Sequence, residues 1–359
     1  MSEHVSVSPV ASKPILVFGR GHIGAYIHQE LQSRRYRVIG YDLRDGHDLT
    51  NLETVRLALV KGCAVIDTLP YQYNLAIAQE AASLGVPYFN LSEDVRNTNL
   101  IREMSSSSVL IPQCGLAPGM VSILAAHLTA DYEHIDSLTI RVGALPTIVS
   151  NHLGYALTWS CAGLINEYCA PCDVIENGVR THARALDDVE SVTVGDLVLE
   201  AAHTSGGVGT LANSYLGKAH ILNYKTLRYP GHFQYMRMFR DDLKLAEHKS
   251  LAEQWFSAAL PRTASDLVAI QITADGTRVG VDNHRYPVSQ RYSHIVHATA
   301  SVTAIQQTTA HGCLAVVDAY LRGHIPQRGF VRQEELPFDA IAQSPFFDVY
   351  RGGFAQKTI

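Results

Sequence analysis

A glycine triplet between two short apolar runs constrains this chain more than any other feature. Pro14-Ile15-Leu16-Val17-Phe18 leads into Gly19-Arg20-Gly21-His22-Ile23-Gly24, and a second apolar run closes on Tyr41-Asp42. The order is strand, G-x-G-x-x-G turn, amphipathic helix, strand, and an acid 18 residues past the last glycine,. Each glycine has its own duty. Gly19 permits the tight turn, Gly21 lets backbone approach a pyrophosphate, and Gly24 lets the helix pack against the strand,. The helix start adds unpaired N–H groups and the positive end of a dipole. Gly19, Arg20, Gly21, His22, Ile23 and Gly24 are therefore candidate cofactor-binding residues. Asp42 is placed to accept hydrogen bonds from ribose hydroxyls, which favours NAD, while Arg44 suits a 2′-phosphate and keeps NADP open,.

The rhythm around this motif sets the fold class. Residues 15–18, 38–42, 64–68, 88–91 and 109–111 are short apolar runs separated by helical patterns, as in a doubly wound Rossmann-type α/β sheet,. Ile23, Ile27 and Leu31 share one helix face, 74–82 forms another helix ending before Gly85, and Met120 begins a third,. Beyond that helix the pattern changes. Strands are expected near 138–142, 174–176, 179–182, 192–194, 197–200, 268–273 and 278–281. Asn177-Gly178 and Asp275-Gly276 read as hairpin turns,. The second domain is thus α+β on a mostly antiparallel sheet, with helices near 155–168 and 231–259. A long helix from about 301 to 321 follows. The expected division is a dinucleotide-binding domain over 1–120, a substrate-binding and dimerisation domain over 121–305, and a C-terminal helix and tail over 306–359 returning to the first.

Composition narrows the class. A net charge of −5 gives no footprint for nucleic acid or an anionic membrane surface, and no run has the apolar length of a membrane span,. Residues 1–12 are polar and contain Glu3, so they read as a loose tail rather than a secretory signal,. Six cysteines without a framework fit a reducing cytoplasm,. Cys169-Ala170-Pro171-Cys172 lacks a second pair at zinc spacing, and the 17 histidines are scattered, so no metal site is expected,.

Five segments, in order, carry a resemblance. They are Cys114-Gly115-Leu116-Ala117-Pro118-Gly119, Gly143-Ala144-Leu145-Pro146, Leu153-Gly154-Tyr155 with Thr158-Trp159-Ser160, Thr204-Ser205-Gly206-Gly207, and Lys225-Thr226-Leu227-Arg228 running to His232. With them the chain resembles the saccharopine dehydrogenase-like family from about residue 14 to 335. The resemblance implies hydride transfer between a nicotinamide and the carbon of a C–N bond in an amino acid or polyamine precursor. Where saccharopine reductases resemble one another in an Asp, a Cys and an Arg, this chain has Ala117, Val142 and the run Gly206-Gly207-Val208-Gly209. The G-L-A-P-G form is similar to the lysine 6-dehydrogenase branch. A lysine-type amine oxidised to an imine is the substrate reading. The alternatives are a reductase that joins an aldehyde to an amine, as in carboxynorspermidine formation, and a non-catalytic NAD(H) sensor.

The remaining candidates sit on loops. Thr68-Leu69-Pro70 follows the third strand and Gly115-Leu116-Ala117 the fifth, both suited to the cofactor,. Tyr71 is a candidate proton relay or a plain loop cover,. Glu93 and Asp94 are candidates for proton transfer or for pairing with a cationic amine; the same Ser92-Glu93-Asp94 run is equally a helix N-terminus,. For substrate, the resemblance places Thr226 and Arg228 at the site, and a guanidinium is suited to a two-pronged grip on a carboxylate,. Trp159 and Tyr155 complete the set as an apolar wall, Lys225 reads as solvated, and Cys114 as a small packed residue. A homodimer is the expected assembly.

Overall fold

The computed structural model describes residues 13–354; the polar tail over 1–12 lies outside the described residues. In chain order the elements are β1 (Ile15–Phe18), α1 (His22–Ser33), β2 (Val38–Tyr41), α2 (Leu52–Leu59), β3 (Ala64–Asp67), α3 (Tyr71–Leu84), β4 (Tyr88–Asn90), α4 (Val95–Arg102) and β5 (Val109–Ile111). Then come α5 (Met120–Leu128), β6 (His134–Pro146), α6 (Cys161–Cys169), β7 (Cys172–Glu176), β8 (Val179–Ala183), β9 (Glu190–Val194), β10 (Leu197–His203), α7 (Leu211–Ser214) and β11 (Ala219–Arg228). The chain continues through α8 (His232–Asp241), α9 (Lys249–Ala259), β12 (Asp266–Val279), β13 (Arg285–His297), α10 (Ala304–Leu321), β14 (Gly329–Phe330) and α11 (Phe338–Ala342). The contacts divide it into two units, 1–120 with 309–347, and 121–308 with the C-terminal end.

In the first unit six strands pair in the order β14-β5-β4-β3-β1-β2, every pair parallel. The chain moves outward from β1 to β2, then jumps back to β3 on the other side of β1. Right-handed crossovers on opposite sides of that point put α1 on one face and the β2–β3 and β3–β4 connections on the other. The direction change leaves a crevice at the C-terminal ends of β1 and β3, where α/β sheets bind ligands. Strands buried on both faces explain the apolar runs: all four residues of β1 and of β3 are buried. Gly85 ends α3 in the left-handed conformation, with φ +66°.

The second unit holds an eight-stranded sheet with the path β13-β12-β6-β11-β10-β9, while β7 joins β11 to β8. Only β6 and β11 run parallel among these pairs. Asn177 and Gly178, both with positive φ, turn the β7–β8 hairpin. Asp275-Gly276 does something else. Strand β12 runs through it to Val279, and the register against β6 shifts there. A Cβ on Gly276 would lie 2.1 Å from the His134 carbonyl oxygen, so this glycine answers a close backbone approach rather than a turn. The real turn is at 280–284, where the Gly280 N–H donates to His284 O at 2.8 Å. Strands β11 and β13 complete the sheet where none was expected. The C-terminal piece also divides: Tyr292 on β13 donates to the Tyr350 carbonyl at 2.7 Å and packs its ring on Phe354, which holds the last described residues in the second unit. Among the described residues, no helix is long and apolar enough to cross a membrane.

Candidate functional site

The glycine turn is stitched across the crevice of the first unit. The Thr68 hydroxyl, one residue past β3, lies 3.0 Å from the Phe18 carbonyl and 2.9 Å from that of Gly19. Leu69 packs beneath Gly19, which has φ +85°. A Cβ on Gly24 would sit 2.1 Å from Gly19 O and 2.4 Å from Thr68 Oγ1, so only glycine lets α1 begin there. Gly21 is the opposite case. It is the exposed N-cap of α1, has no side-chain cap, and a Cβ there would meet nothing within 4 Å among the described residues. An open helix start beside open space fits a diphosphate, with the 21–23 N–H groups as its donors. His22 and Ile23 occupy the first turn of that helix.

Asp42 stands one residue beyond β2. Its Oδ2 accepts from the Arg20 N–H at 2.6 Å, and its Oδ1 from the Arg44 N–H at 3.0 Å and Arg44 Nε at 2.8 Å. These bonds, the Arg44 side chain first, hold the Asp42 carboxyl well below the usual range. Pro70 is exposed at the start of α3, and Tyr71 opens that helix with 36% of its surface exposed. In the loop after β5, Gly115 and Leu116 are buried and Ala117 half-buried. A Cβ on Gly119 would lie 2.3 Å from Gly115 O, which fixes the tightness of this loop. Cys114 is packed as expected, its thiol donating to Ile111 O at 3.1 Å. Asp94 is not a free carboxylate: it N-caps α4, accepting the Asn97 N–H at 2.6 Å, so the helix-start reading holds for it. Glu93 is half-buried just before it.

One group at this edge was missed. Asp67, the last residue of β3, is 0% exposed and accepts from Tyr88 Oη and Asn74 Nδ2, each at 2.8 Å, and from the Leu69 N–H at 3.1 Å. Asn90 extends the network, donating to Tyr88 Oη and accepting the Gln113 N–H at 3.0 Å. The signal was available: an acid ends an otherwise apolar run, opposite Asn90 on the next strand. Burial pushes the Asp67 carboxyl up to about 6. The folded state therefore holds this proton more tightly than the unfolded chain. The stability it confers is full below about pH 4, falls as pH rises toward 6, and levels off above. A shift of this size amounts to roughly 3 kcal/mol. Relative to wild type, Asp67→Asn should therefore gain stability between pH 4.5 and 7.5 in urea melts. A parallel pair of curves would contradict this.

The second unit builds its own polar cluster where α6 and β11 meet. Glu167 Oε1 accepts from the hydroxyls of Thr204 at 2.8 Å and Thr226 at 2.6 Å, while Oε2 faces Arg228 Nη2 at 4.0 Å. A relay runs out from Arg228. Its Nε donates to Tyr168 Oη at 2.9 Å, that hydroxyl lies 2.9 Å from His232 Nε2, and His232 Nδ1 donates to Leu153 O at 2.8 Å. Because a carbonyl only accepts, Nδ1 carries the proton and Tyr168 donates to Nε2. Burial, then the charge of Arg228, lowers His232 to about 3, so the ring stays neutral. Burial alone disfavours the Arg228 charge, but Tyr168, Tyr155 and Glu167 more than offset it and raise its pKa. The guanidinium also lies over the Tyr155 ring, 5.1 Å from its centroid.

Two expectations change here. Arg228 is 3% exposed, with Nε on Tyr168 and Nη1 on Leu227 O, so a two-pronged grip on a substrate is not the arrangement found. Lys225 is buried rather than solvated, its Nζ donating to Asp188 O at 2.6 Å and Asp188 Oδ2 at 2.7 Å. Both follow from β11 being an interior strand, paired with β6 and β10, whose last five residues, Tyr224 to Arg228, are all buried. Tyr155 is fully buried as well. Trp159 is half-buried, its ring seated on Gly163, where a Cβ would lie 2.4 Å from it. Gly163 and Glu167 are one turn apart on the same face of α6,.

Known proteins can now be set beside this geometry. A model of the saccharopine dehydrogenase C-terminal domain matches residues 115–350, well over half the chain. The chain belongs to this family. Among solved structures, the chain is similar to saccharopine dehydrogenase (L-Glu forming) from Saccharomyces cerevisiae, with TM-score 0.69 and 12% identity over 92% of this chain and 96% of that one. It is also similar to a homospermidine synthase from Legionella pneumophila in complex with NAD, with TM-score 0.62 and 12% identity over 96% of this chain and 90% of that one. At such identity the likeness is one of fold. The saccharopine dehydrogenase match begins at Gly115, so it embraces the α6–β11 cluster, while the glycine cradle and Asp42 lie outside it. The cradle and the family are therefore independent observations.

Proposed function

We propose that the chain is a nicotinamide-dinucleotide-dependent oxidoreductase acting on the C–N bond of an amino acid, with a lysine-type amine oxidised to an imine. The observation that carries this is the cradle: Gly21 open at the helix start, Gly24 closed against Gly19, and Asp42 at the next strand end. Membership of a family named for a dehydrogenase supports the same class. The residues 21–23 bind the diphosphate, Asp42 takes the adenine ribose, and the loops after β3 and β5 border the cofactor. When bound, the cofactor supplies the hydride acceptor, and the protein supplies orientation.

In the second unit Glu167 is the counter-charge for a cationic amine, because among the described residues the one cation facing its Oε2 is the Arg228 guanidinium, 4.0 Å away. Trp159, whose ring rests on Gly163 one turn from Glu167, offers an aromatic face to the substrate methylenes or ammonium,. Arg228 and Tyr168 position Glu167 rather than touch the ligand. Glu93 and Tyr71 are the remaining candidates in the first unit for taking the amine proton.

The test is a rate assay of the full chain with NAD or NADP against lysine, ornithine and diamines, read as reduced nicotinamide. Lysine-dependent reduction is the expected result. No amine-dependent reduction, together with oxidation of reduced cofactor by an aldehyde–amine pair, would overturn the lysine reading and favour a C–N bond-forming reductase.

A further inference from the structure

The ribose-binding acid is already clasped, and the clasp decides which dinucleotide fits. This inference rests on the proposed function and deepens it. Asp42 caps the short 3₁₀ helix Leu43–Asp45, accepting the Arg44 N–H, so the acid and the arginine are held by one turn. The Arg44 side chain folds back over the carboxylate, with Nη2 3.1 Å from Oδ2 and also bonded to the Arg20 carbonyl. Both carboxylate oxygens are thereby engaged, yet 68% of the Arg44 side chain is exposed. Arg20 stands on the other side, its stem against Gly40 and its Nη1 on Asp45 Oδ2 at 2.9 Å. Its buried Nε has no partner among the described residues. Two guanidinium groups offset two carboxylates here, unlike the bare acid that would exclude a 2′-phosphate.

We propose that Arg44 is a movable 2′-phosphate clamp that lets the site take NADP(H) as well as NAD(H). A ribose 2′-hydroxyl can donate to Asp42. A 2′-phosphate has only acceptors and is repelled by a bare carboxylate. Arg44 resolves the conflict by exchanging partners. An exposed ion pair holds its side chain weakly, so it can leave Asp42 for a phosphate that offers more charge and a matching fork of oxygens. The backbone bonds from Arg20 and Arg44 keep Asp42 in place when the side chain moves. The carboxylate, still accepting from these two N–H groups, then has lone pairs to spare for a ribose hydroxyl of NAD, while toward NADP the Arg44 charge beside it offsets the repulsion of the 2′-phosphate.

The test is titration calorimetry of the full chain with NAD and with NADP, for wild type, Arg44→Ala and Asp42→Asn. The two ligands differ only in the 2′-phosphate, so their affinity ratio cancels any general loss of fold or of diphosphate binding. Wild type is expected to bind both. Arg44→Ala should weaken NADP roughly tenfold more than NAD, the size of one charge-assisted bond. Asp42→Asn should move the ratio the other way. An unchanged ratio in Arg44→Ala, or wild type that binds NAD without measurable NADP, would overturn the clamp and leave the proposed function standing. Wild type that binds neither ligand would overturn both.

Discussion

Gly21→Val should weaken binding of reduced nicotinamide cofactor by about 100-fold or more, a loss near 3 kcal/mol, with almost no change in stability. The two halves of this result come from one observation. A Cβ at Gly21 meets open space, and the backbone there (φ −68°, ψ −160°) is extended, so a branched side chain is accommodated in the folded chain. That same space is the proposed seat of the diphosphate. Surface substitutions of this kind usually shift stability by less than about 0.5 kcal/mol. Gly24→Ala is the contrasting control. Its Cβ would press on the Gly19 carbonyl oxygen at 2.1 Å, and overpacking against rigid backbone costs about 1–3 kcal/mol,. Fluorescence titration with NADH and thermal melts of both variants check the pair. Undiminished NADH binding by Gly21→Val would remove the diphosphate from this turn.

Arg228→Ala should destabilise the second unit by roughly 3–5 kcal/mol, the cost of stranding a buried charge. The substitution takes the donor from Tyr168, the cation from the faces of Tyr155 and Tyr168, and the cation that faces Glu167 Oε2. Arg228→Lys should recover a part only, because one ammonium cannot span Tyr168 and the Leu227 carbonyl as the guanidinium does,. Adding Glu167→Gln to Arg228→Ala should also restore some stability, since the stranded carboxylate is gone. Urea melts of the four proteins separate these outcomes. A loss under 1 kcal/mol for Arg228→Ala would show that the cluster is not a coupled buried unit.

The first unit was legible because its signals are local. The strand runs of β1 to β5 are short and apolar, and the glycine spacing encodes a turn whose sterics involve only a few residues. The same held for Asn177-Gly178, where two positive φ angles suffice for a hairpin. Asp275-Gly276 shows where that logic ends. The dipeptide is equally turn-like, but its glycine answers to the His134 carbonyl on a strand about 140 residues earlier. Strand β11 escaped for a related reason. Its Asn223, Lys225, Thr226 and Arg228 interrupt the apolar pattern of a buried strand, and only partners remote in sequence, Asp188 for Lys225 and Glu167 for Thr226, stabilise those polar groups inside the sheet. The motif signal led to Arg228, and the structure buries that side chain on Tyr168 instead of presenting it to a substrate. Glu167 and Asp67 each stand out as a single acid in an apolar context, but the sequence does not mark the partners that hold them.

The proposed function puts a nicotinamide dinucleotide on the start of α1 with its adenine ribose at Asp42. Amide hydrogen exchange of the full chain, with and without saturating NADH, tests it at the positions concerned. Protection is expected at residues 20–24 and 42–45. Exchange unchanged at both segments with cofactor present would contradict it.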